Sequence, residues 1–211
     1  MKVMLVGASG LVGGQVLQQL LDDPRCDAVV APTRRPLAHA DPALHNPVVD
    51  FERLPVDAPW WAVDAVICAL GTTIRDAGSQ DAFRRVDHDY PLAIARQAHA
   101  HGATTFVLVS AMGADADSRL FYSRTKGEVE QALGALGFAS LTLLRPGLLG
   151  GERRQHRSGE RVALRVMGVL DGVLPRRYRI VPAERVADAL LQAALDAPPG
   201  RHVIASERLL A

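Results

Sequence analysis

Residues 2–21 read K-V-M-L-V-G-A-S-G-L-V-G-G-Q-V-L-Q-Q-L-L. The run Val3 to Val6 is apolar without alternation, the mark of a strand covered on both faces. Leu11, Val12, Val16, Leu17, Leu20 and Leu21 then recur with helical spacing and form one apolar stripe. Asp22-Asp23-Pro24 closes that helix. Between the two patterns stand Gly7, Gly10 and Gly13, three residues apart. A buried strand, a glycine turn and an amphipathic helix in one short stretch open a strand–helix–strand unit with a parallel sheet.

The rest of the chain continues that alternation. Ala28 to Pro32, Val48-Val49, Ala65 to Ala69, Thr105 to Val109 and Ser140 to Leu144 read as further strands, with helical patterns at roughly 80–100 and 121–136. Right-handed crossovers then give an α/β fold, a doubly wound parallel sheet with a small C-terminal lobe. The chain is read as a single domain over 1–211, with 148–211 as a minor substrate-side lobe. Residues 36–60 look irregular, and 150–161 form a polar, basic loop without an apolar period. Val181 to Ala187 reads as a helix start with proline near the first turn. Gly168 to Leu174 lines either a substrate pocket or a dimer contact, so a homodimer or a partner protein stays open.

Composition narrows the classes. A chain of 211 residues, 48% apolar, supports one substantial core. A net charge of +1 argues against a broad nucleic-acid surface. Cys26 and Cys68 flank strand-like runs and read as reduced, buried thiols. His39, His45, His99, His101, His156 and His202 show no ligand spacing, so no metal is expected. The N-terminal M-K-V-M-L-V is too short for a secretory core, and no run reaches membrane-spanning length. The expectation is a cytoplasmic protein that takes a small-molecule substrate. Trp60-Trp61 is read as packing on the sheet edge.

A turn between strand and helix presents free backbone N–H groups and the positive end of a helix dipole, and both favour an anion. Gly7 allows the tight turn, Gly10 clears the approach of a pyrophosphate, and Gly13 lets helix and strand pack closely. Ser9 adds a hydroxyl donor. The spacing is G-x-x-G-x-x-G rather than G-x-G-x-x-G. It reads as nucleotide binding, against glycines that serve packing alone. An NAD site places an acid at the end of the second strand. Here that strand ends Pro32-Thr33-Arg34-Arg35. Two guanidiniums suit a 2′-phosphate, so NADP(H) is expected over NAD(H), the alternative being a solvated loop. Asp50-Phe51 borders the adenine or is an ordinary loop. Ala69-Leu70-Gly71-Thr72-Thr73 follows the fourth strand on the ligand-binding edge, where Gly71 lets the backbone pass close to a ribose.

Tyr122-Ser-Arg-Thr-Lys126 places a phenol and an ammonium one helical turn apart. A nearby ammonium lowers a phenol's pKa, and a tuned tyrosine moves a proton to or from a carbonyl or alcohol oxygen. Ser110 ends the fifth strand on the same edge, with its hydroxyl available to hold a substrate oxygen.

These motifs together resemble a family. G-A-S-G-L-V-G at 7–13, A-L-G-T-T at 69–73, V-D-H-D-Y at 86–90, V-S-A-M-G at 109–113, Y-S-R-T-K at 122–126 and L-R-P-G at 144–147 look like an atypical short-chain dehydrogenase/reductase. More closely they resemble the Tat-interacting protein group and its bacterial NAD(P)H-binding, epimerase-like relatives. The resemblance implies a Rossmann fold. It implies that Gly7, Ser9, Gly10, Leu11, Val12 and Gly13 cradle the pyrophosphate and that Arg34 and Arg35 hold the 2′-phosphate. It also implies that Ala69, Leu70 and Gly71 line the adenosine and ribose side. Ser110, Tyr122 and Lys126 match the family's catalytic serine, tyrosine and lysine, with Lys126 also on the nicotinamide ribose. Arg145, Pro146 and Gly147 fall beside the nicotinamide. Many relatives carry an asparagine in the helix after the fourth strand; V-D-H-D-Y has none, and His88 is the substitute weighed against a structural histidine. The expected function is an NADP(H)-dependent oxidoreductase passing hydride to or from a small carbonyl or alcohol. The alternative is a non-catalytic NADPH-binding redox sensor or assembly protein. A sugar-nucleotide epimerase would need a larger C-terminal lobe.

Overall fold

The structure, a computed structural model, describes residues 1–150 and 179–210. The strands of the main sheet are β1 (Lys2–Val6), β2 (Ala28–Val30), β3 (Leu44–His45), β4 (Ala65–Cys68), β5 (Thr105–Val109), β6 (Ser140–Arg145) and β9 (Gly200–Ala205). They lie in the order β3-β2-β1-β4-β5-β6-β9, and every pair is parallel. The flanking helices are α1 (Leu11–Asp22), α2 (Ile74–Ala77), α3 (Gln80–Arg84), α4 (Tyr90–Ala100), α5 (Phe121–Gly134) and α6 (Ala183–Asp196). A second sheet pairs β7 (Leu149–Gly150) with β8 (Val181–Pro182). This is the doubly wound fold that the alternation of strands and helices predicts. Residues 151–161 of the basic loop and the Gly168–Leu174 stretch lie outside the described residues.

Strand side chains alternate between two cores. Val3 and Leu5 of β1 face α1 and α6, where Val16, Leu20, Val186 and Leu190 are fully buried. Met4 and Val6 point the other way, toward Ile94, Val129 and Leu133 on α4 and α5. With apolar side chains needed on both faces, the central strands cannot alternate, and this is why they read as unbroken apolar runs. Each fully buried aliphatic side chain contributes about 1.5–3 kcal/mol of transfer free energy, so the two layers hold the sheet edges that carry the loops rigidly.

Three expectations are corrected. The third strand is Leu44–His45, paired with Val29–Val30, and not Val48-Val49. Pro47 has no N–H to continue the ladder, and Val48 forms only a single bridge to Thr33. The seventh strand, β9, carries no apolar run because it is a mostly exposed strand that, among the described residues, pairs only with β6 at the edge of the sheet. The helical stretch 80–100 is interrupted by a π turn over Arg85–Asp89. Trp61 is fully buried and donates its indole N–H to the Pro55 carbonyl at 2.6 Å.

Candidate functional site

The strand order reverses between β1 and β4, so their connections leave in opposite directions and open a crevice at the carboxyl edge. Ala69 donates its N–H to the Val6 carbonyl at 2.8 Å, drawing the two following loops together. Gly7 sits there in the left-handed region, φ +91°, and a Cβ on it would lie 2.7 Å from the Ala69 carbonyl. A Cβ on Gly13 would lie 2.1 Å from the Gly7 carbonyl oxygen, so the first turn of α1 rests directly on the glycine turn. Gly10 is the helix N-cap and donates to Gly7 O at 2.9 Å. Its exposed position, with Ser9, leaves the approach to Leu11 and Val12 clear. No side chain caps α1 and no acid lies in its first turn. Backbone donors at the positive end of α1 therefore face the crevice without a competing carboxylate in the first turn of that helix, and the cradle fits the diphosphate of a dinucleotide.

Arg34 and Arg35 are exposed on the turn after β2. Among the described residues no carboxylate pairs with either. Their turn is built by Asn46, whose side-chain amide donates to Ala31 O at 2.5 Å and Thr33 Oγ1 at 2.8 Å while its carbonyl accepts from Leu37 N at 2.8 Å. Thr33 Oγ1 donates to Arg35 O at 2.7 Å. Asn46 lies in the stretch that reads as irregular, and nothing in its own neighbourhood of sequence signals this clamp.

Tyr122 and Lys126 project from one face of α5. Tyr122 is 39% exposed and packs on Phe83, with ring centroids 5.4 Å apart. Lys126 is buried, with Nζ 2.7 Å from Asp87 Oδ1 and 3.5 Å from the Val109 carbonyl. Burial alone pulls the Lys126 ammonium's pKa down; the Asp87 carboxylate, with the Tyr122 phenol, more than offsets this and raises it. The sequence predicts a Tyr122 phenol lowered by its lysine. Its pKa is instead raised, because burial and the Asp87 charge outweigh the Lys126 ammonium. The phenol is thus held in its protonated form, suited to donate. His88 pairs with Asp89 at 2.7 Å, and it is Asp87 that meets Lys126.

Ser110 follows β5, and Glu130 lies one turn further along the Tyr122–Lys126 face of α5. The Ser110 N–H continues the sheet to Leu144 O at 2.7 Å. Its hydroxyl donates to Glu130 Oε1 at 2.5 Å. Glu130 is 1% exposed and also accepts two bonds from Arg145, at 2.9 and 2.5 Å. Arg145 is thereby fixed at the end of β6, and its pKa is raised by that bond. Pro146 is buried, and its carbonyl accepts from Met112 N at 2.9 Å; Gly147 donates to Ser206 Oγ at 3.1 Å. Ser110 and Arg145 thus stand at the ends of the adjoining strands β5 and β6, both bonded to Glu130 of α5, the helix that also carries Tyr122 and Lys126, and the one hydroxyl proton of Ser110 is directed to Glu130.

A profile of the NAD(P)H-binding family matches residues 7–197. The chain belongs to the NAD(P)H-binding family. Among its relatives, protein HTATIP2 of Rattus norvegicus is 39% identical over 193 residues, 90% of this chain and 79% of the relative. The fmp52 protein of Emericella nidulans, named mitochondrial, is 36% identical over 183 residues, 81% of this chain and 76% of the relative. The resemblance to the Tat-interacting protein group is therefore real. Two solved structures share the fold. MoeE5 in complex with UDP-glucose and NAD has a TM-score of 0.73 at 20% identity, covering 96% of this chain and 75% of that one. A putative NAD-dependent epimerase/dehydratase from Bacillus halodurans has a TM-score of 0.68 at 20% identity, covering 100% and 98%.

Membership corrects one expectation about this NAD(P)H-binding protein. Several fungal relatives are named mitochondrial, which overturns the cytoplasmic placement. That placement rested on reduced thiols and the lack of a long apolar run, and both are as compatible with an organelle interior as with cytosol. Among the described residues no helix is long and apolar enough to cross a membrane. Two functional candidates escaped the sequence reading. Asp87 lies in the V-D-H-D-Y motif, but no spacing in the sequence ties it to Lys126. Glu130 was signalled by spacing, since Tyr122, Lys126 and Glu130 recur at i, i+4 and i+8 on α5.

Proposed function

We propose that this NAD(P)H-binding protein is an NADP(H)-dependent oxidoreductase acting on a small carbonyl or alcohol. The observation that carries the reading is the half-open Tyr122 phenol, kept protonated above a buried Lys126 ammonium at the edge of the β1–β4 crevice. When bound, the nicotinamide supplies the hydride. The chain's own residues do the rest. Gly7, Gly10, Gly13 and the first amides of α1 hold the diphosphate, and Arg34 and Arg35 meet a 2′-phosphate with charge-assisted bonds. Tyr122 gives its proton to the substrate oxygen, and Lys126 stabilises the phenolate left behind. Ser110, whose hydroxyl donates to Glu130, can accept a bond from an alcohol substrate's hydroxyl, and would have to release Glu130 to donate to a carbonyl oxygen.

The bond from Ser110 to Glu130 also favours a second reading, in which the protein binds NADPH and reports its redox state without turnover. A fluorescence titration with NADPH and NADH, on wild type and on Arg34→Ala with Arg35→Ala, tests the cofactor. Loss of two charge-assisted bonds should weaken NADPH about tenfold to hundredfold and leave NADH within about twofold. Equal loss for both nucleotides removes the 2′-phosphate role, and no binding by wild type removes the reading.

A further inference from the structure

Asp87 is 1% exposed, and both of its oxygens are engaged by different elements. Oδ1 faces Lys126 Nζ on α5 at 2.7 Å. Oδ2 accepts the Thr72 N–H at 2.9 Å, in the loop after β4. A Cβ built on Gly71 would lie 3.6 Å from Asp87 Oδ1, so the carboxylate sits directly beneath that loop. The residue itself lies on the π turn Arg85–Asp89 between α3 and α4. Single π turns inside helices are frequent at functional sites. A buried ion pair is also a poor source of net stability, because desolvating both charges consumes most of the Coulomb gain, and two apolar residues of like volume would hold the helices as well. Both facts point to something other than folding.

We propose that Asp87 is a positioning residue that fixes the Lys126 ammonium against the Gly71–Thr72 edge of the crevice, so that one carboxylate links the nucleotide-side loop to the lysine beside Tyr122. This rests on the nucleotide reading above. The site thereby has a route from cofactor to proton donor that needs no asparagine: the loop that would border the ribose is tied to Asp87, Asp87 to Lys126, and Lys126 to Tyr122 on the next turn of α5. The groups that face Lys126 are Asp87, the Tyr122 phenol and, more weakly, the Cys68 thiol.

Lys2 and Lys126 are the only lysines in the chain. Lysine labelled with carbon-13 at Cε therefore yields one reporter at the site and one control, assigned by Lys2→Arg. In wild type, adding NADPH should shift the Lys126 signal and leave Lys2 still. Asp87→Asn keeps the shape and an acceptor for Thr72 but loses the charge. In that variant Lys126 should lose its proton at least about one pH unit earlier, its response to NADPH should vanish, and NADPH affinity should fall about tenfold. The effect must also disappear in a Lys126→Met background, which removes both charges together and guards against a folding defect from a lone buried ammonium. An Asp87→Asn protein whose Lys126 answers NADPH as wild type does, or whose loss of affinity is the same with and without Lys126, overturns the proposal. Wild type that binds neither NADPH nor NADH removes the nucleotide reading and this one with it. Wild type that binds NADPH beside an unchanged Asp87→Asn removes the role of Asp87 alone.

Discussion

Gly13 and Gly14 are neighbours in α1, and alanine should act on them with opposite sign. At Gly13 the added Cβ lands 2.1 Å from the Gly7 carbonyl oxygen and 2.7 Å from its carbon. An ordinary carbon–oxygen contact needs about 3.3 Å. The shortfall exceeds about 1 Å, and the obstacle is backbone in the turn that also abuts Ala69, so no side chain can swing aside. Helix α1 must lift from β1, loosening the buried Val12, Val16, Leu17 and Leu20 on either side of Gly13. Overpacking costs about 1–3 kcal/mol, and a backbone clash of this depth belongs at the upper end, about 3 kcal/mol. At Gly14 the Cβ meets only Ala8 O at 3.6 Å, in an exposed position. There alanine should stabilise by about 0.5–1 kcal/mol through lower unfolded-state entropy and better helix propensity. For a chain of this size about 1 kcal/mol moves Tm by about 2–4 °C, so Gly13→Ala should lose about 6–12 °C and Gly14→Ala gain about 1–4 °C. Urea and thermal denaturation followed by circular dichroism give the free-energy and Tm changes, and NADPH fluorescence on the folded fraction shows whether the cradle survives. A Gly13→Ala protein within about 1 kcal/mol of wild type, or a Gly14→Ala protein equally damaged, would refute the packing argument.

Three further outcomes follow from the same geometry. Tyr122→Phe removes a phenol that is 39% exposed, so NADPH affinity should stay within about twofold while turnover of any carbonyl substrate drops by more than about a hundredfold; unchanged turnover ends its role as proton donor. Glu130→Gln leaves the Ser110 hydroxyl and the Arg145 guanidinium without their carboxylate. The cost in urea should be about 2–3 kcal/mol, discounted for the solvent that reaches Arg145, and a neutral result would mean that the network contributes only local order. The Lys126 pKa lies above its ordinary 10.5, so the stability it contributes is complete below that value and is lost as pH rises through the folded-state pKa. Denaturation midpoints should therefore show no loss from this group between neutral pH and about 10 and should fall above that; a loss already at pH 8–9 that Lys126→Met abolishes would reverse the sign.

The parts of the fold that read clearly are those whose burial is two-sided. β1, β4, β5 and β6 are central, need apolar side chains on both faces, and so announce themselves as unbroken runs. β3 and β9 stand at the sheet edges. One was displaced in the reading by the valines after Pro47, and the other, with Arg201 and His202 in an exposed strand, carries no pattern at all. In the site, local spacing shows Tyr122 with Lys126, whereas Glu130, one turn further on α5, shows its role only through its contacts with Ser110 and Arg145. Tyr122 and Lys126 are one helical turn apart and announce each other. Asn46 reaches back to Ala31 and Thr33, and Asp87 reaches Thr72 and Lys126, across distances in sequence that no period encodes.

The strand–glycine–helix opening, the parallel doubly wound sheet and the spacing of tyrosine and lysine are legible along the chain, because each depends on short-range periodicity and on what glycine lacks. How charges are answered follows from contacts made in three dimensions. These set Asp87 against Lys126 and Glu130 against Ser110 and Arg145, and so turned a tyrosine read as lowered in pKa into one that is raised. Electrostatic energy in a protein interior depends on distance and desolvation, and neither is a property of order along the chain.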